Sequence, residues 1–274
     1  MRVELTSTRN PRVKQLIALR RRRTRDELGV TLIDGHDELL LVLEAGVRPE
    51  AVYHCPGYDH HDDALLGRID AMATERVSVS RDVFAKLSYR ENPDGWLAVV
   101  PSPAAALSSL TLPDRPLVLV CEAVEKPGNL GAMLRTADAA GVAAVVAADP
   151  VTDWGNPNLI RASKGTAFSV PVASAAVPDV IAWLAHHHIE LVAASPGATA
   201  TLDAIDLTGP VALAVGAEDV GLSSELFAAA AHVARIPMFG TVNSLNVSTA
   251  AAIGLYEAVR QRTAAESSAG AHTT

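Results

Sequence analysis

The residues best suited to chemistry lie in three loops of the C-terminal half. The first holds Asn129 and Arg135, the second holds Glu218 between two glycines, and the third holds Ser244 and Asn246. Amide, hydroxyl and carboxylate groups can bind hydroxyls or amines, and a guanidinium presents a fork of donors that suits phosphate. Taken alone, each loop also fits an ordinary turn. Arg135 of the first loop also fits a surface ion pair. The chemistry therefore depends on whether the fold brings the loops together.

The strands and helices predicted around these loops place all three loops at the same edge of a sheet. Apolar strands are predicted at 117–123, 143–148, 170–172, 189–194, 211–215 and 234–237, and helices at 129–140, 177–187, 223–230 and 247–262. This alternation is typical of an α/β fold with a mostly parallel sheet covered by helices on both faces. Ligands of such sheets bind outside the carboxyl ends of the strands, where the three loops fall.

Helix start signals refine two of the loops. Ser244 or Asn246 can cap the free N–H groups of the helix predicted from about Val247, and Ser223 or Ser224 can cap the helix before it.

The glycines of the first loop argue against a dinucleotide site. Gly128 and Gly131 give G-x-x-G, and Asp149 follows about 20 residues later. The middle glycine that lets a backbone approach a pyrophosphate is missing, so a nicotinamide enzyme is not indicated.

The N-terminal part predicts a smaller α/β unit. Strands are predicted near 30–34, 50–54, 77–79 and 96–100, with helices at 37–45, 64–73 and 81–87. A stretch rich in Pro, Ser and Ala follows, without clear periodicity, and predicts a linker. We therefore predict a small domain at 1–101, a linker at 102–115, a larger domain at 116–265 and a flexible tail at 266–274.

Charge is spread unevenly along the chain. Residues 1–25 hold nine Lys or Arg against Glu4, a formal charge of +8, whereas the whole chain carries −8. A basic arm on an acidic body fits a protein whose one end meets a polyanion, although a solvated helix face has the same pattern. The arm residues that we predict to contact RNA are Arg9, Arg12, Arg20, Arg21, Arg22 and Arg23.

Composition excludes several classes. With 49% hydrophobic residues the chain can bury a core, yet no apolar run approaches the roughly 20 residues of a membrane span or forms a secretory signal. The cytoplasm is the expected location. Cys55 and Cys121 are too far apart in sequence for a zinc motif. The His54, Cys55, His60–Asp63 cluster and the His186–His188 run lack metal spacing, so no metal is predicted, and Trp96 and Trp154 are interpreted as packing residues that could otherwise stack on bases.

The three loops in this order resemble the motifs of the SpoU/TrmH family of RNA ribose 2′-O-methyltransferases. The match runs through Asn129-x-Gly-x-x-x-Arg135, Gly216-x-Glu218-x-x-Gly221 and Ile236-Pro-Met followed by Ser244-Leu-Asn-Val-Ser248, with Arg161-Ala-Ser-Lys-Gly165 between the first two. The N-terminal part, with Ile33-Asp-Gly and Asn92-Pro-Asp-Gly-Trp, looks like the ribosomal-protein-L30e-like RNA-binding domain that many such enzymes carry.

This resemblance implies a cofactor, a knot and a dimer. The methyl donor would be S-adenosylmethionine, held in a deep trefoil knot by Ala194, Gly216, Ile236, Met238 and Leu245. Arg135 would activate the ribose hydroxyl, or bind phosphate and stabilise the oxyanion, assisted by Asn129, Glu218, Ser244 and Asn246. Arg161 would join the RNA-binding residues. The small residues of the last helix, Ala250, Ala251, Ala252, Gly254 and Ala258, would suit close packing on a second copy or within the chain.

The resemblance implies methylation of 23S rRNA. Methylation of tRNA is the alternative within the same class, and a non-catalytic RNA-binding dimer is the alternative from another class. A resistance role, as in the avilamycin or thiostrepton resistance methyltransferases, and housekeeping rRNA modification are both open. The methylated base is not predicted, because the methyl group goes to ribose and RNA shape would set the specificity.

Overall fold

The computed structural model describes residues 3–58, 61–72 and 74–270, and its internal contacts divide the chain into two units. Unit 1 holds the residues up to Pro103 together with Asp153–Ser169, and unit 2 holds Ala104–Thr152 and the residues from Val170 onward. His60 and the last four residues of the predicted tail lie outside the described residues.

Unit 1 is built on a five-stranded mixed sheet in the order β1-β4-β3-β5-β2. Strands β1, β4 and β3 are parallel, whereas β5 runs antiparallel to both β3 and β2. Its elements are β1 Val3–Leu5, α1 Pro11–Ala18, α2 Arg22–Leu28, β2 Val30–Asp34, α3 His36–Glu44, β3 Ala51–His54, α4 Asp63–Ala71, β4 Glu75–Val79, α5 Arg81–Leu87 and β5 Trp96–Pro101.

Alternating side chains of the strands fill two cores on opposite faces of this sheet. In β5, Leu97 and Val99 enter a core with Phe84, while Trp96 and Ala98 enter the other. Trp96 is fully buried, which confirms its interpretation as a packing residue. Successive side chains of a strand point to opposite faces of the sheet, so a strand that is covered on both faces contributes to both cores.

The basic arm is structured, and helices are one of the two interpretations that its sequence pattern allows. It supplies β1, α1 and α2, and Asn10 caps α1 by accepting a hydrogen bond from the Arg12 backbone N–H at 2.8 Å. Arg25 is only 3% exposed and forms a two-point ion pair with Asp153, with contacts of 3.1 and 2.5 Å. Part of the arm's charge is therefore used inside the fold.

The segment Asp153–Ser169 belongs by its contacts to unit 1, although it lies within the larger domain predicted from the sequence. It carries α7 Pro157–Ala162, and Ile160 is buried in the core beneath α3 and α4. The Thr31 hydroxyl of β2 donates to the Gly155 carbonyl. Trp154 is 2% exposed, which confirms a packing role.

Unit 2 is an eight-stranded sheet in the order β11-β13-β10-β12-β7-β8-β9-β6, and every recorded pairing in it is parallel. This confirms the predicted parallel α/β class. Its elements are β6 Ala104–Ala105, β7 Leu117–Glu122, α6 Pro127–Ala139, β8 Ala144–Ala148, β9 Val172–Ala175, α8 Val177–His186, β10 Glu190–Ala194, β11 Ala200–Thr201, β12 Val211–Val215, α9 Ser224–Ala229, β13 His232–Arg235 and α10 Val247–Gly270.

Three details of unit 2 differ from the sequence expectations. The stretch predicted as a linker contributes β6, and Leu107, Leu110 and Leu112 pack on the core of unit 2. Strand β13 ends at Arg235, so Pro237 lies in the following loop, which fits its missing N–H donor. Helix α10 continues to Gly270, into the residues predicted as tail.

Among the described residues, no helix has the length and apolar character needed to cross a membrane. Cys55 and Cys121 are free and buried.

Candidate active site

Four neighbouring strands of unit 2 end at one edge of the sheet, and the predicted site residues follow them. Strands β13, β10, β12 and β7 are adjacent and parallel. Parallel neighbours have their carboxyl ends on the same side, so the loops after them meet there. Ala194 ends β10, Gly216 follows β12, and Ile236 follows β13.

A chain of hydrogen bonds joins residues of all three predicted loops. The Glu218 carboxylate accepts one hydrogen bond from Lys126 Nζ and another from Asn129 Nδ2. Asn246 Nδ2 donates to Asn129 Oδ1 over 3.3 Å. Three predicted side chains, separated by up to 117 residues in sequence, therefore lie in one cluster.

The contact with Lys126 favours the ionised form of Glu218. The hydrogen bond from Lys126 is the main reason that the pKa of Glu218 is lowered, and the same contact raises the pKa of Lys126. An ionised carboxylate only accepts hydrogen bonds, so Glu218 can hold the Asn129 amide in one orientation. Asn129 then keeps one N–H and one acceptor lone pair for a ligand.

Asn246 also begins the last helix. Its Oδ1 accepts the Ser248 backbone N–H at 3.0 Å and the Ser248 hydroxyl at 2.6 Å, which confirms a helix cap at Asn246. One side chain thus fixes the start of α10 and contacts Asn129. Ser244 is exposed two residues earlier, and its side chain has no hydrogen bond to the described residues.

Arg135 lies on α6, six residues beyond Asn129, and is exposed. Its guanidinium has no hydrogen bond or ion pair to any described residue, unlike the ion-paired arginines of unit 1. It can therefore bind an anion brought by a ligand.

Two polar residues of the site were missed by sequence reasoning. Lys126 lies three residues before Asn129, and Glu122 lies within the strand predicted at 117–123. Glu122 is 5% exposed, and its Oε2 accepts the Ser223 backbone N–H at 2.7 Å. It ties β7 to the far end of the loop that carries Glu218. The available signal was an acid at the end of an otherwise apolar strand.

Glycine is required at position 216 because the loop that follows passes too close to leave room for a side chain. A Cβ atom there would lie 2.2 Å from the Gly221 carbonyl carbon and oxygen. Gly221 N–H donates to the Ala217 carbonyl at 2.9 Å, so the loop folds back on itself. Glu218 stands at the tip of this turn, and it lines a small cavity of about 90 Å³ together with Val124, Lys126 and Asn129.

The loop after β13 holds three of the residues predicted to bind the cofactor. Residues 236–245 make no hydrogen bond to other described residues, although Ile236, Met238 and Leu245 are partly buried. Ala194 and Gly216, also partly buried, lie at the ends of adjacent strands. The role of these five residues in binding S-adenosylmethionine stays a prediction.

The predicted RNA-binding arginines differ in their contacts. Arg12 pairs with Glu75 and donates to the Tyr53 hydroxyl at 2.6 Å, and Arg20 donates to the Lys86 carbonyl at 2.9 Å. Arg22 and Arg23 pair with acids one turn later, and Arg161 contacts Asn158 at 3.4 Å. Arg9 and Arg21 are exposed, and their side chains have no partner among the described residues. The RNA-binding role of all seven stays a prediction.

Comparisons with known proteins agree with this geometry. The model of the SpoU rRNA methylase family matches residues 116–256, and that of the MRM3-like substrate-binding domain matches 10–98, where the L30e-like domain is predicted. The chain is 30% identical to the 23S rRNA (uridine(2479)-2′-O)-methyltransferase of Streptomyces viridochromogenes, over 93% of this chain and 92% of that protein.

Two further relatives extend the comparison. The 23S rRNA (guanosine(2553)-2′-O)-methyltransferase RlmP of Bacillus subtilis is 30% identical over 92% of this chain and 98% of its own length. The AdoMet-bound rRNA methyltransferase of Sinorhizobium meliloti superposes with a TM-score of 0.86 at 29% identity, covering 94% of this chain and 97% of that one.

These findings confirm the predicted fold class, enzyme class and cofactor, while the knot stays a prediction. The chain belongs to the SpoU rRNA methylase family and is an RNA methyltransferase that uses S-adenosylmethionine.

Proposed function

We propose that the protein methylates a ribose 2′-hydroxyl of 23S rRNA. The observation that carries the proposal is the Lys126–Glu218–Asn129–Asn246 hydrogen-bond chain at the carboxyl ends of β7 and β12. Arg135, which has no partner among the described residues, lies on the same helix as Asn129. A non-catalytic RNA-binding dimer would have no use for this arrangement. The substrate class is supported by the relatives from S. viridochromogenes and B. subtilis, which act on 23S rRNA.

The residues of the chain would mainly position the reacting groups. S-adenosylmethionine supplies a methyl group on a sulfonium, so the protein has to orient one ribose oxygen towards it. Orientation of this kind contributes roughly 7–11 kcal/mol in favourable model systems. The free N–H and lone pair of Asn129, held between Glu218 and Asn246, are suited to binding ribose hydroxyls.

In this proposal Arg135 does not act as the base that removes the proton of the hydroxyl. A guanidinium remains protonated near neutral pH, so it is a poor base. It would bind the phosphate beside the target ribose and stabilise the negative charge that develops on the attacking oxygen. The proton of the hydroxyl would then pass to solvent.

Transfer of labelled methyl groups to protein-free 23S rRNA tests the proposal. We expect incorporation with the wild type, near-complete loss with Arg135→Ala, and one site at which the RNA resists alkaline cleavage. Incorporation into tRNA alone would show that the substrate is tRNA and not 23S rRNA. No incorporation into either RNA, with wild type and Arg135→Ala equal, would overturn the enzyme assignment for this chain.

The cellular role follows from the same substrate. An enzyme acting on 23S rRNA would work in the cytoplasm, where ribosomes are assembled. Comparing the drug sensitivity of cells with and without the protein distinguishes a resistance role from housekeeping modification of rRNA.

We also propose a homodimer formed through unit 2. On α10, Ile253 and Tyr256 are 41% and 50% exposed, whereas Ala251, Gly254 and Ala258 are buried against their own unit. A Cβ atom at Gly254 would lie 2.4 Å from Leu213 Cδ2, so these small residues serve packing within the chain. The exposed Ile253 and Tyr256 are therefore better placed for a second copy.

Changing this exposed pair tests the dimer. We expect wild type to sediment as a dimer and Ile253→Glu/Tyr256→Glu as a folded monomer, because carboxylates are costly to bury. Exposed Val151→Glu serves as a control that should leave the mass unchanged. A wild-type monomer at micromolar concentration would contradict the proposal.

A further inference from the structure

One aromatic side chain of unit 2 lies in solvent on a loop of the candidate site. Phe239 is 98% exposed, the highest value of any large hydrophobic residue in the described part of the chain. The other three phenylalanines pack on hydrophobic cores, Phe84 fully buried and Phe168 and Phe227 partly buried. Covering an aromatic ring is favourable, so the ring of Phe239 is available to a ligand.

The loop that carries Phe239 also carries site residues. Phe239 directly follows Met238, four residues beyond the end of β13, and the loop ends at Asn246, which donates to Asn129. A Cβ atom built at Gly240 would meet no atom within 4 Å, so the space next to the ring is open. The ring and the polar cluster therefore belong to loops at the same edge of the sheet.

A second exposed apolar side chain lies on the neighbouring loop. Val220 is 86% exposed and lines the small cavity together with Lys126, Asn129 and Glu218. Strands β12 and β13 both pair with β10, so the loops that follow them begin about 10 Å apart, twice the spacing of adjacent strands. One nucleotide can therefore contact both loops.

The residues around Phe239 favour an uncharged, flat ligand. No residue from Ile236 to Tyr256 carries a formal charge. Thr241, Asn243 and Ser244, close to the ring in sequence, are exposed and polar. A nucleotide base suits an aromatic ring among hydroxyl and amide groups, because it offers a flat face for stacking and polar edges for hydrogen bonds.

We propose that Phe239 stacks on the base of the methylated nucleotide and so holds its ribose at the cluster of Asn129 and Glu218. The proposal rests on the proposed function for the identity of the RNA. Every base has a flat face, so this contact fixes the position of the nucleotide and accepts any of the four bases. Stacking is present before and during the reaction, so it affects KM more than kcat.

Methyl transfer to protein-free 23S rRNA tests the ring by substitution. We expect Phe239→Ala to raise KM roughly tenfold and Phe239→Trp to keep it within about twofold, because indole also stacks on bases. Phe239→Leu keeps an apolar side chain without a ring and should match Phe239→Ala. The control, Val151→Ala, alters another exposed apolar residue of unit 2 and should leave KM unchanged. A wild-type KM in Phe239→Ala or Phe239→Leu would overturn the proposal.

An RNA that lacks the target base separates stacking from a structural role. A fragment of 23S rRNA with an abasic residue at the methylated position keeps the ribose but has no base to cover the ring. We expect wild type to bind it roughly tenfold more weakly than the intact fragment, and Phe239→Ala to bind both fragments equally. The same loss in both proteins would overturn the proposal.

The fluorescence of Phe239→Trp reports the contact without methyl transfer. The native Trp96, Trp154 and Trp183 are buried, so the introduced indole is the exposed emitter. Stacking should quench its emission when 23S rRNA or tRNA is added without S-adenosylmethionine, and Val151→Trp, the control, should change little. No quenching by either RNA would overturn the proposal.

These measurements keep the two proposals distinguishable. If wild type methylates neither RNA while RNA quenches the introduced indole, the proposed function fails and stacking on RNA stands. If wild type methylates 23S rRNA while Phe239→Ala keeps its KM, the stacking proposal fails alone. If Phe239→Ala sediments as a monomer and wild type as a dimer, the ring contacts a second copy of the chain, which would also overturn the stacking proposal.

Discussion

At the scale of single residues, the site depends on one amide with several partners. Asn129 donates to Glu218 and accepts from Asn246, and Lys126 holds Glu218 in place. Each of these side chains lies near solvent, where an isolated hydrogen bond contributes little. Their value lies in orientation, because the two groups that Asn129 has left then point in fixed directions.

Arg135 provides the sharpest prediction at this scale. If it binds phosphate and the developing oxyanion through its planar fork, Arg135→Ala should lower kcat by about 10²–10³, and Arg135→Lys should recover only part of this loss. Single-turnover methyl transfer at saturating RNA measures the chemical step. A fully active lysine variant would show that charge alone suffices, and a fully active alanine variant would remove Arg135 from the mechanism.

At the scale of elements, Glu122 links β7 to the loop that carries Glu218. Its carboxylate accepts the Ser223 N–H at 2.7 Å, just before α9, while Gly216 begins the same loop after β12. Ser223 also caps α9 by accepting the Leu226 N–H at 3.3 Å, which confirms its predicted capping role. The position of Glu218 is therefore set from both ends of its loop.

We expect Glu122→Ala to reduce kcat more than it raises KM. The change leaves the Ser223 N–H without its partner, which costs about 1–3 kcal/mol, and lets the loop shift. Glu122→Gln keeps an oxygen at the same place and should restore most of the activity. The kcat and KM of wild type, Glu122→Ala and Glu122→Gln are compared well below the melting temperature. If Glu122→Ala loses stability but keeps its kcat, the role of Glu122 is only structural.

The ion pair between α1 and β4 predicts a pH dependence of stability. The hydrogen bond from Arg12 lowers the pKa of Glu75, so the folded state favours the ionised carboxylate. This contribution is complete above the ordinary pKa of Glu and is lost as the pH falls through the lowered value. Because the Glu75 side chain is 47% exposed, solvent screening limits the contribution to about 1 kcal/mol or less.

Urea unfolding measures this dependence. Glu75→Gln should reduce the free energy of unfolding at about pH 7, and its difference from wild type should shrink as the pH falls towards about 3. Exposed Glu50→Gln is the control and should show little difference at either pH. A constant difference between wild type and Glu75→Gln would contradict the ion-pair explanation.

At the scale of the whole molecule, the sequence of unit 2 is interrupted by a segment that belongs to unit 1. The Asp153–Ser169 segment places Ile160 in a core of unit 1 and pairs Asp153 with Arg25, which lies 128 residues away. The family model, by contrast, runs without interruption through 116–256. The bounds of the family match therefore differ from the bounds of unit 2.

A truncation tests this division. We expect residues 104–274, expressed alone, to be cleaved by protease between 153 and 169, because Trp154 and Ile160 would lose the apolar surface that buries them. The full-length chain should resist cleavage there. Equal resistance of both forms, measured by the masses of the fragments, would show that the segment folds without unit 1.

The sequence by itself determined the local features of this protein. Apolar runs such as Val211–Val215 predicted their strands, and Asn246 and Ser223 predicted helix starts, because strand burial and capping depend on neighbouring residues. The order of the three loops, with the family resemblance, pointed to the enzyme class and the cofactor.

Only the tertiary structure decided which partners distant residues take. The sequence shows Arg12, Arg20 and Arg25 as equal members of a basic arm, whereas the fold pairs Arg12 with Glu75, places Arg20 at the end of α5 and buries Arg25 against Asp153. Glu122 likewise acquires its role from Ser223, 101 residues later. Ion pairs and buried hydrogen bonds follow the packing of whole elements, which local spacing does not encode.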